Sequence, residues 1–399
     1  MRLQTHPVSP TNRLPYAQLL AFMVAGFLTI MTETMPAGLL TQIGPGLGVS
    51  EAMAGQLVTL YALGSVLVAI PVIVATRSWN RRPLFVMAMA GLLIFNTITA
   101  LSTNYILTLV ARFIAGMAAG LVWGLMAGYI RRLVPAHLLG RSMAIAGVGQ
   151  PIALCIGVPL GTWLGTMLDW RGVFWIMSAL ALILVVWVRL ALPDFAGQSA
   201  DQSMPIRRVG MIPGIRSVLW TLLIWILAHN LLYTYIAPFL TSVGLGERVD
   251  AVLLLFGVCA IAGIWVTGLL VDRWLRVLTL LSLAVFAIAA LVLGLSGGSP
   301  VAVLAGIAAW GLTFGGGPTL LQTALTATAG EQADVAQSLF VTVFNLAVAG
   351  GGLTGGMLLQ HVGPSALPWI LAVLAVLALI IAMSARRHGF KSRRQAAWV

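Results

Sequence analysis

The amino-acid sequence predicts an all-α integral membrane protein with twelve transmembrane helices in two six-helix, pseudo-symmetric halves. Three observations predict this fold class: very few charges, about a dozen long apolar runs, and a weak internal repeat. Charged residues make up 8% of the chain and hydrophobic residues 60%, whereas a soluble globular domain carries about 25% charged residues. The bilayer is therefore the expected solvent for most of the side chains.

Apolar runs bounded by glycine, proline, arginine or polar clusters mark the spans, and each crossing of a bilayer needs roughly 20 apolar residues. The twelve predicted spans are numbered one to twelve in chain order, at 16–41, 53–75, 84–102, 105–129, 142–167, 173–192, 217–241, 250–271, 277–296, 300–325, 335–359 and 366–385. The sequence therefore predicts an N-terminal bundle over 1–192, a linker over 193–216, and a C-terminal bundle with a basic tail over 217–399.

The distribution of the basic residues predicts the orientation of the chain. Lys391 is the lone lysine among 22 basic residues. If the N-terminus is inside, nineteen of the 22 lie inside; Arg171 and Arg248 lie outside, and Arg112 lies within a span. Cytoplasmic segments are the ones that carry excess arginine and lysine. Both termini are therefore expected in the cytoplasm, which requires an even number of spans.

Several functional classes are excluded by what the sequence lacks. Its arginines form no continuous stripe for nucleic acid, and the two cysteines, Cys155 and Cys259, lie in apolar stretches as small hydrophobes. The first apolar run lacks a small-residue cleavage site, so it is expected to be a retained span. No metal cluster, phosphate-binding loop or nucleophile triad is found. We therefore expect neither an enzyme nor a cofactor.

An internal repeat relates the two halves at a constant offset of 195 residues. Trp79 matches Trp274 and Arg81 matches Arg276. The remaining matches are Gly116 with Gly311, Gly120 with Gly315, Gln150 with Asn345, Gly157 with Gly352, and Gly161 with Gly356. Because the offset keeps inside and outside unchanged, the repeat is parallel, as in transporters whose halves rock about a central site.

Glu33 is the single carboxylate inside an apolar span. Since an ionised acid at the bilayer centre costs about 2.5–3.5 kcal/mol on insertion scales, Glu33 should face a cavity or a partner. An acid that takes up a proton on one side and releases it on the other would couple transport to the proton gradient. The alternative is a structural acid tied to a neighbour. Thr29 lies one turn before Glu33 and Ala37 one turn after it, so this face is small and partly polar.

Arg112 is the single arginine inside a span, and its repeat counterpart is the uncharged Ile307. The repeated scaffold therefore does not require the charge. A guanidinium in this place could polarise a proton site, hold substrate, or clamp helices together through hydrogen bonds. Opposite charge makes pairing with Glu33 a further alternative, which the sequence leaves open.

Polar residues in other spans are candidates for lining a central cavity. In span seven, His229 and Tyr233 lie one turn apart, as do Asn230 and Thr234, which predicts a polar face. His229 could relay protons or serve as a hydrogen-bonded packing residue. The full set of substrate-binding candidates is Thr29, Tyr61, Asn96, Trp123, Gln150, His229, Asn230, Tyr233, Gln322 and Asn345.

Glycine and proline in spans four, five and eleven predict closely packed helices that can slide or bend. Gly116, Gly120, Gly124 and Gly128 are spaced by four residues, which lets helix backbones approach closely in lipid. Gly157, Pro159 and Gly161 are the candidates of this kind in span five.

These motifs together resemble the major facilitator superfamily, in its twelve-helix drug:proton antiporter branch near the bacterial arabinose and sugar-efflux permeases. The resemblance extends over nearly the whole chain. It depends on the segments TETMPAGLL (32–40), AGQLVTLYALG (54–64), ARFIAGMAAG (111–120), GVPLGTWLG (157–165), DWR (169–171) and YTYIAPFL (233–240), together with Asn345.

The resemblance implies proton-coupled export, with Glu33 and Arg112 as the coupling residues. The family's inner-loop motif occurs in the second half as Gly268, Asp272 and Arg273. The corresponding residues of the first half are Ile73, Arg77 and Ser78. The first inner loop is therefore not expected to form the family's usual charged latch, although its arginines could bind anionic lipid.

The sequence therefore predicts a monomeric secondary transporter that exports a small organic molecule of the drug, sugar or nucleoside class by alternating access as a proton antiporter. The alternative is a proton-independent facilitator or importer of a small polar solute. The expected partners are substrate, protons and membrane lipids.

Overall fold

A computed structural model describes residues 14–69, 75–76, 78–135, 138–196, 209–386 and 389–390. The predicted orientation signals before residue 14 and after residue 390, Arg77, and the middle of the predicted linker at 197–208 lie outside these ranges. All of the predicted site residues lie within the described ranges.

The described chain is helical throughout. Its α-helices are Tyr16–Leu47, Glu51–Ala69, Arg81–Leu101, Tyr105–Leu133, Leu139–Gly147, Gly149–Ile152, Val158–Ala191, Ile215–Tyr233, Ile236–Ser242, Val249–Leu295, Pro300–Ala329, Ala333–His361 and Leu367–Ser384. A π-helical turn, Ala153–Gly157, joins the pieces of span five, and the described residues form no strand. The all-α prediction is confirmed.

Nine helical stretches of the described residues are long and apolar enough to cross a membrane. Two of them, Arg141–Ala191 and Gly246–Leu295, contain about 50 residues each and turn back at a non-helical residue, Asp169 and Trp274 respectively. Each therefore supplies two spans, five with six and eight with nine. Together with Glu51–Ala69, the described helices are consistent with the twelve predicted spans.

An even number of spans brings both ends of the chain to one face of the bundle, which we call the terminus face; the opposite face is the distal face. Span one leaves the terminus face at Tyr16 and reaches the distal face at Leu47. Within each half the spans pack on one another, and the halves meet where span two packs on span eleven and span five on span eight.

The internal repeat appears in the packing of span four on span two and of span ten on span eight. A Cβ on Gly116 would collide with the carbonyl oxygen of Tyr61, and one on Gly311 with that of Phe256. Tyr61 and Phe256 are themselves 195 residues apart. The same glycine therefore brings the same two backbones together in each half.

Substitution of Gly116 by alanine is expected to lower stability by about 2 kcal/mol, because the added methyl group must push span four away from the backbone of span two. Gly128 on the same helix is the matched control, since a Cβ there has no neighbour within 4 Å. Thermal unfolding of both variants in detergent measures the effect. An unfolding temperature for Gly116→Ala equal to that of Gly128→Ala would contradict this packing.

A short segment after the last span of each half folds back on that half at the terminus face. The carbonyl of Phe195 accepts a hydrogen bond from the backbone N–H of Arg81 (2.8 Å), and that of Phe390 accepts one from Arg276 Nη1 (3.1 Å). The Phe195 ring packs edge-on against Tyr129, and Phe390 is fully buried. The two phenylalanines are 195 residues apart, and so are the two arginines, so the repeat extends to these segments. We call the segments that contain Phe195 and Phe390 the straps.

Candidate substrate and proton site

Arg112 is fully buried between spans one, two and four. Its Nε donates to the carbonyl of Leu57 and its Nη2 to the carbonyl of Glu33, both at 3.3 Å. The guanidinium carbon lies 4.7 Å from the centre of the Tyr61 ring, a cation–π geometry. Nη1 has no hydrogen-bond partner among the described residues. The arginine therefore joins three spans through backbone carbonyls and keeps one donor unused.

Glu33 lies near the middle of span one and is 7% exposed. It contacts Arg112 through its main-chain carbonyl, and its side chain interacts electrostatically with that arginine. No salt bridge within 4.0 Å joins the two side chains, both of which the structure describes. The sequence left the contact open. The structure joins the two residues through the backbone and leaves the carboxylate available.

Polar neighbours complete the cluster around Glu33. The Tyr61 hydroxyl donates to the carbonyl of Thr29 (2.9 Å), and Asn96 Nδ2 donates to Thr32 Oγ1 (3.0 Å). Asn96 Oδ1 is buried without a partner among the described residues. We call Glu33, Arg112, Thr29, Tyr61 and Asn96 the charged cluster. All five were sequence candidates.

A second cluster occupies the other half and consists of rings. It contains His229 and Tyr233 of span seven, Phe256 of span eight, and Trp310 and Phe314 of span ten. Trp310 Nε1 donates to His229 Nδ1 at 3.1 Å. The rings of His229 and Phe314 are stacked, with centres 3.4 Å apart and planes 4° apart. We call these five residues the ring cluster.

The two clusters occupy equivalent places in the repeat. The 195-residue offset matches Tyr61 with Phe256. Span one aligns with span seven at an offset of 200, through which Glu33 matches Tyr233. The same pocket of the scaffold therefore holds buried charge in the first half and aromatic rings in the second.

The remaining sequence candidates lie apart from these clusters or bond within their own helices. Asn230 and Asn345 donate to carbonyls one turn earlier, Ile226 and Val341. Trp123 packs against Gly26 of span one. Gln150 is half-buried and Gln322 is exposed.

The candidate switch motifs differ in their surroundings. The sulfur atoms of Met31 and Met35 of span one occupy the space that a Cβ on Gly157 or Gly161 would need, so these glycines let spans one and five pack closely. Pro159 is buried beside them. Gly268, Asp272 and Arg273 are exposed at the terminus-face end of span eight. Among the described residues neither Asp272 nor Arg273 has a salt-bridge partner.

A hydrogen-bond cluster at the distal face ties the two halves together. The Tyr235 hydroxyl lies 2.8 Å from the carbonyl oxygen of Gly352 and 3.3 Å from that of Ala52, and Gln56 Nε2 donates to it at 3.1 Å. Gln56 also donates to the carbonyl of Gly352 (3.3 Å). We call Gln56 and Tyr235 the distal clamp.

Sequence reasoning did not select the distal clamp or three of the four rings around His229, those of Phe256, Trp310 and Phe314. Gln56 and Tyr235 both lie in motifs that carried the family resemblance, so those motifs were a usable signal. Phe256 could have been found as the repeat partner of Tyr61. Trp310 and Phe314 carry no local signal, because aromatic residues are common on every face of an apolar span.

The Major Facilitator Superfamily model matches residues 22–349, most of the chain, including both clusters and the distal clamp. The chain belongs to the Major Facilitator Superfamily. The expectation from the sequence motifs is confirmed, and the protein is a multi-pass membrane transporter without enzymatic function.

Relatives in the superfamily are similar over almost their whole length. The chain is 29% identical to a probable sugar efflux transporter of Mannheimia succiniciproducens (92% of this chain, 94% of the relative). It is 28% identical to the purine ribonucleoside efflux pump NepI of Escherichia coli O157:H7 (86% and 87%). It is also 30% identical to the transcription regulatory protein OpdE of Pseudomonas aeruginosa (96% and 97%).

Among solved structures, a D-xylose–proton symporter superposes with a TM-score of 0.78. The superposition covers 94% of this chain and 99% of the symporter, at 15% sequence identity. This likeness shows the fold, a major facilitator fold of two six-helix halves.

Proposed function

We propose that this transporter exports a small organic molecule of the sugar or nucleoside class across the bacterial inner membrane in exchange for protons. The terminus face is cytoplasmic in this proposal, because the arginines of the chain concentrate on that side. The transporter works as a monomer, since one chain already contains both halves, and residues 193–216 link them.

The observation that carries the proposal is the charged cluster. Glu33 and Arg112 are the charged residues that the structure buries, among those it describes. Burying a carboxylate in a membrane span is costly and marks a functional site. Because Arg112 bonds the carbonyl rather than the carboxylate of Glu33, the carboxylate can gain and lose a proton without breaking the contact between spans one and four.

The distal clamp supports alternating access. It closes the bundle between spans two, seven and eleven on the side away from the termini. On the terminus side, Gln322 is exposed and Gly128 and Gly147 have open space around them. In this proposal, a closed distal clamp with the termini in the cytoplasm corresponds to an inward-facing state, in which substrate loads from the cytoplasmic side.

We base the proposed substrate class on two relatives, a probable sugar efflux transporter and a purine ribonucleoside efflux pump. Proteoliposomes test both substrate and coupling. With purified protein, an imposed proton gradient should drive uphill accumulation of radiolabelled inosine or L-arabinose. Accumulation that is the same with and without the gradient would favour the proton-independent facilitator. Failure to move either solute would reject the proposed substrate class.

Removal of the Tyr235 hydroxyl should open the distal face. Tyr235→Phe loses the two contacts of the hydroxyl that cross between the halves, with Gln56 and with the carbonyl of Ala52. Together they are worth about 1.4 kcal/mol, so the outward-facing population should rise about tenfold. Spin labels can be attached to cysteines placed at Leu101 and Ser242, both exposed at the distal face. Double electron–electron resonance should then show a longer distance between the two labels.

Tyr105→Phe is the matched control for that experiment. The Tyr105 hydroxyl also bonds a carbonyl at the distal face, that of Met53, but within one half. Cys155 and Cys259 are replaced by alanine in every sample. If Tyr235→Phe and Tyr105→Phe give the same distance distribution, the distal clamp does not hold this state.

A further inference from the structure

The imidazole of His229 is covered on both faces. Phe314 stacks on one face at 3.4 Å, and Tyr233 stacks at 5.0 Å with its plane tilted by 25°. No ring contact joins Phe314 to Tyr233 among the described residues, so the two rings lie on opposite faces of the imidazole. A planar substrate therefore cannot stack on this histidine, and the histidine can act only through its edge.

The edge of the imidazole has a defined polarity. An indole N–H can only donate, so the bond from Trp310 makes Nδ1 an acceptor. The proton of the neutral ring must then lie on Nε2. Nε2 has no hydrogen-bond partner among the described residues. The ring cluster thus holds one fixed and unused N–H donor, and the ring is 5% exposed.

The ring cluster lies where the two halves meet. Gly257, the residue after Phe256 in span eight, packs on the backbone of Cys155 of span five. The rings against His229 are those of Tyr233, Phe256, Trp310 and Phe314, none of which carries a charge. The N–H of His229 therefore offers a hydrogen bond to a neutral acceptor.

We propose that His229 Nε2–H is the recognition donor of this transporter for a neutral solute with an exposed acceptor, such as a ring nitrogen, carbonyl or hydroxyl oxygen. Trp310 is a positioning residue that fixes the tautomer. The inference rests on the proposed export function and narrows it to solutes that carry a neutral acceptor.

Equilibrium binding to the full chain in nanodiscs, without a proton gradient, tests the inference. The probes are inosine, L-arabinose and tetraphenylphosphonium. We expect a neutral probe to bind, and any binding of the cation, which has no acceptor, to be the same in the wild type and in His229→Phe. His229→Phe should weaken binding about tenfold, the value of one hydrogen bond of roughly 1.4 kcal/mol. His229→Gln, which keeps an N–H donor, should recover part of the loss.

Two further measurements separate recognition from structure. His361→Phe, at an exposed histidine of span eleven, should bind like the wild type. With ¹⁵N-labelled histidine, the Nδ1 resonance of His229 should show an unprotonated nitrogen, and Trp310→Phe should give a mixture of tautomers. Trp310→Phe should also weaken binding.

Binding of none of the neutral probes, or unchanged binding of these probes by His229→Phe, would each overturn the inference. If His229→Phe does not fold, the inference is tested by the binding measured for His229→Gln and by the histidine nitrogen resonance of Trp310→Phe. Because no gradient is used, a failure of proton coupling leaves these results unaffected. Intact binding with transport that ignores the gradient would reject only the coupling.

Discussion

Glu33→Gln should abolish uphill transport driven by a proton gradient while leaving exchange of substrate across the membrane intact. Glutamine keeps the size and polarity of the side chain but cannot carry a proton between the two sides. The main-chain carbonyl that accepts from Arg112 is unchanged, so spans one and four should stay together. Substrate can then still bind and drive the rocking of the halves.

Two assays on the same proteoliposomes separate these properties. Uphill accumulation under an imposed proton gradient should fall to the level of empty liposomes. Counterflow of labelled against unlabelled substrate, without a gradient, should stay within about twofold of the wild type. Glu247→Gln, at an exposed acid of the loop between spans seven and eight, is the control and should behave like the wild type in both. Normal accumulation by Glu33→Gln would show that the acid is structural.

Arg112→Met should be among the most destabilising single substitutions in this protein. It removes the hydrogen bonds by which span four holds the carbonyls of Leu57 in span two and Glu33 in span one. It also leaves the Glu33 carboxylate without its opposite charge. Removal of one partner from a buried charged contact typically costs about 3 kcal/mol. We expect a lower unfolding temperature and reduced yield, whereas Arg248→Met at the exposed loop should leave stability unchanged.

Arg112→Lys distinguishes the two roles that the sequence left open. Lysine keeps the charge, but its compact ammonium group cannot reproduce the planar fork of donors that reaches two carbonyls. If Arg112 takes part in coupling, the lysine variant should fold and bind substrate but lose much of its gradient-driven accumulation. A folded lysine variant with full accumulation would indicate that the arginine is a clamp between helices and no more.

The sequence was most informative at residues whose charge costs free energy to bury in the membrane. Glu33 and Arg112 could be selected because a charge in a span demands an explanation. Their geometry could not be derived, because a span that is apolar on every face does not show how the helix is rotated against its neighbours. The bond from Arg112 to a main-chain carbonyl depends on that rotation.

The internal repeat predicts some contacts of the structure and misses others. Gly116 and Gly311 could be matched by position, and the structure places both against equivalent carbonyls. Trp310 and Phe314, which pack on His229, could not be found in this way. Trp310 replaces Ala115 of the first half, and a large ring in an apolar helix is ordinarily a packing residue. The imidazole–indole bond becomes visible only when spans seven and ten are brought together.

The straps have a consequence for the history of the chain. Phe195 and Phe390 keep the same spacing and both offer a carbonyl to the start of the third helix of their own half. The donor is the backbone N–H of Arg81 in the first half and the side-chain Nη1 of Arg276 in the second. The repeated unit thus contains six helices and a closing segment, which is the arrangement expected if the unit that was duplicated already carried its own end.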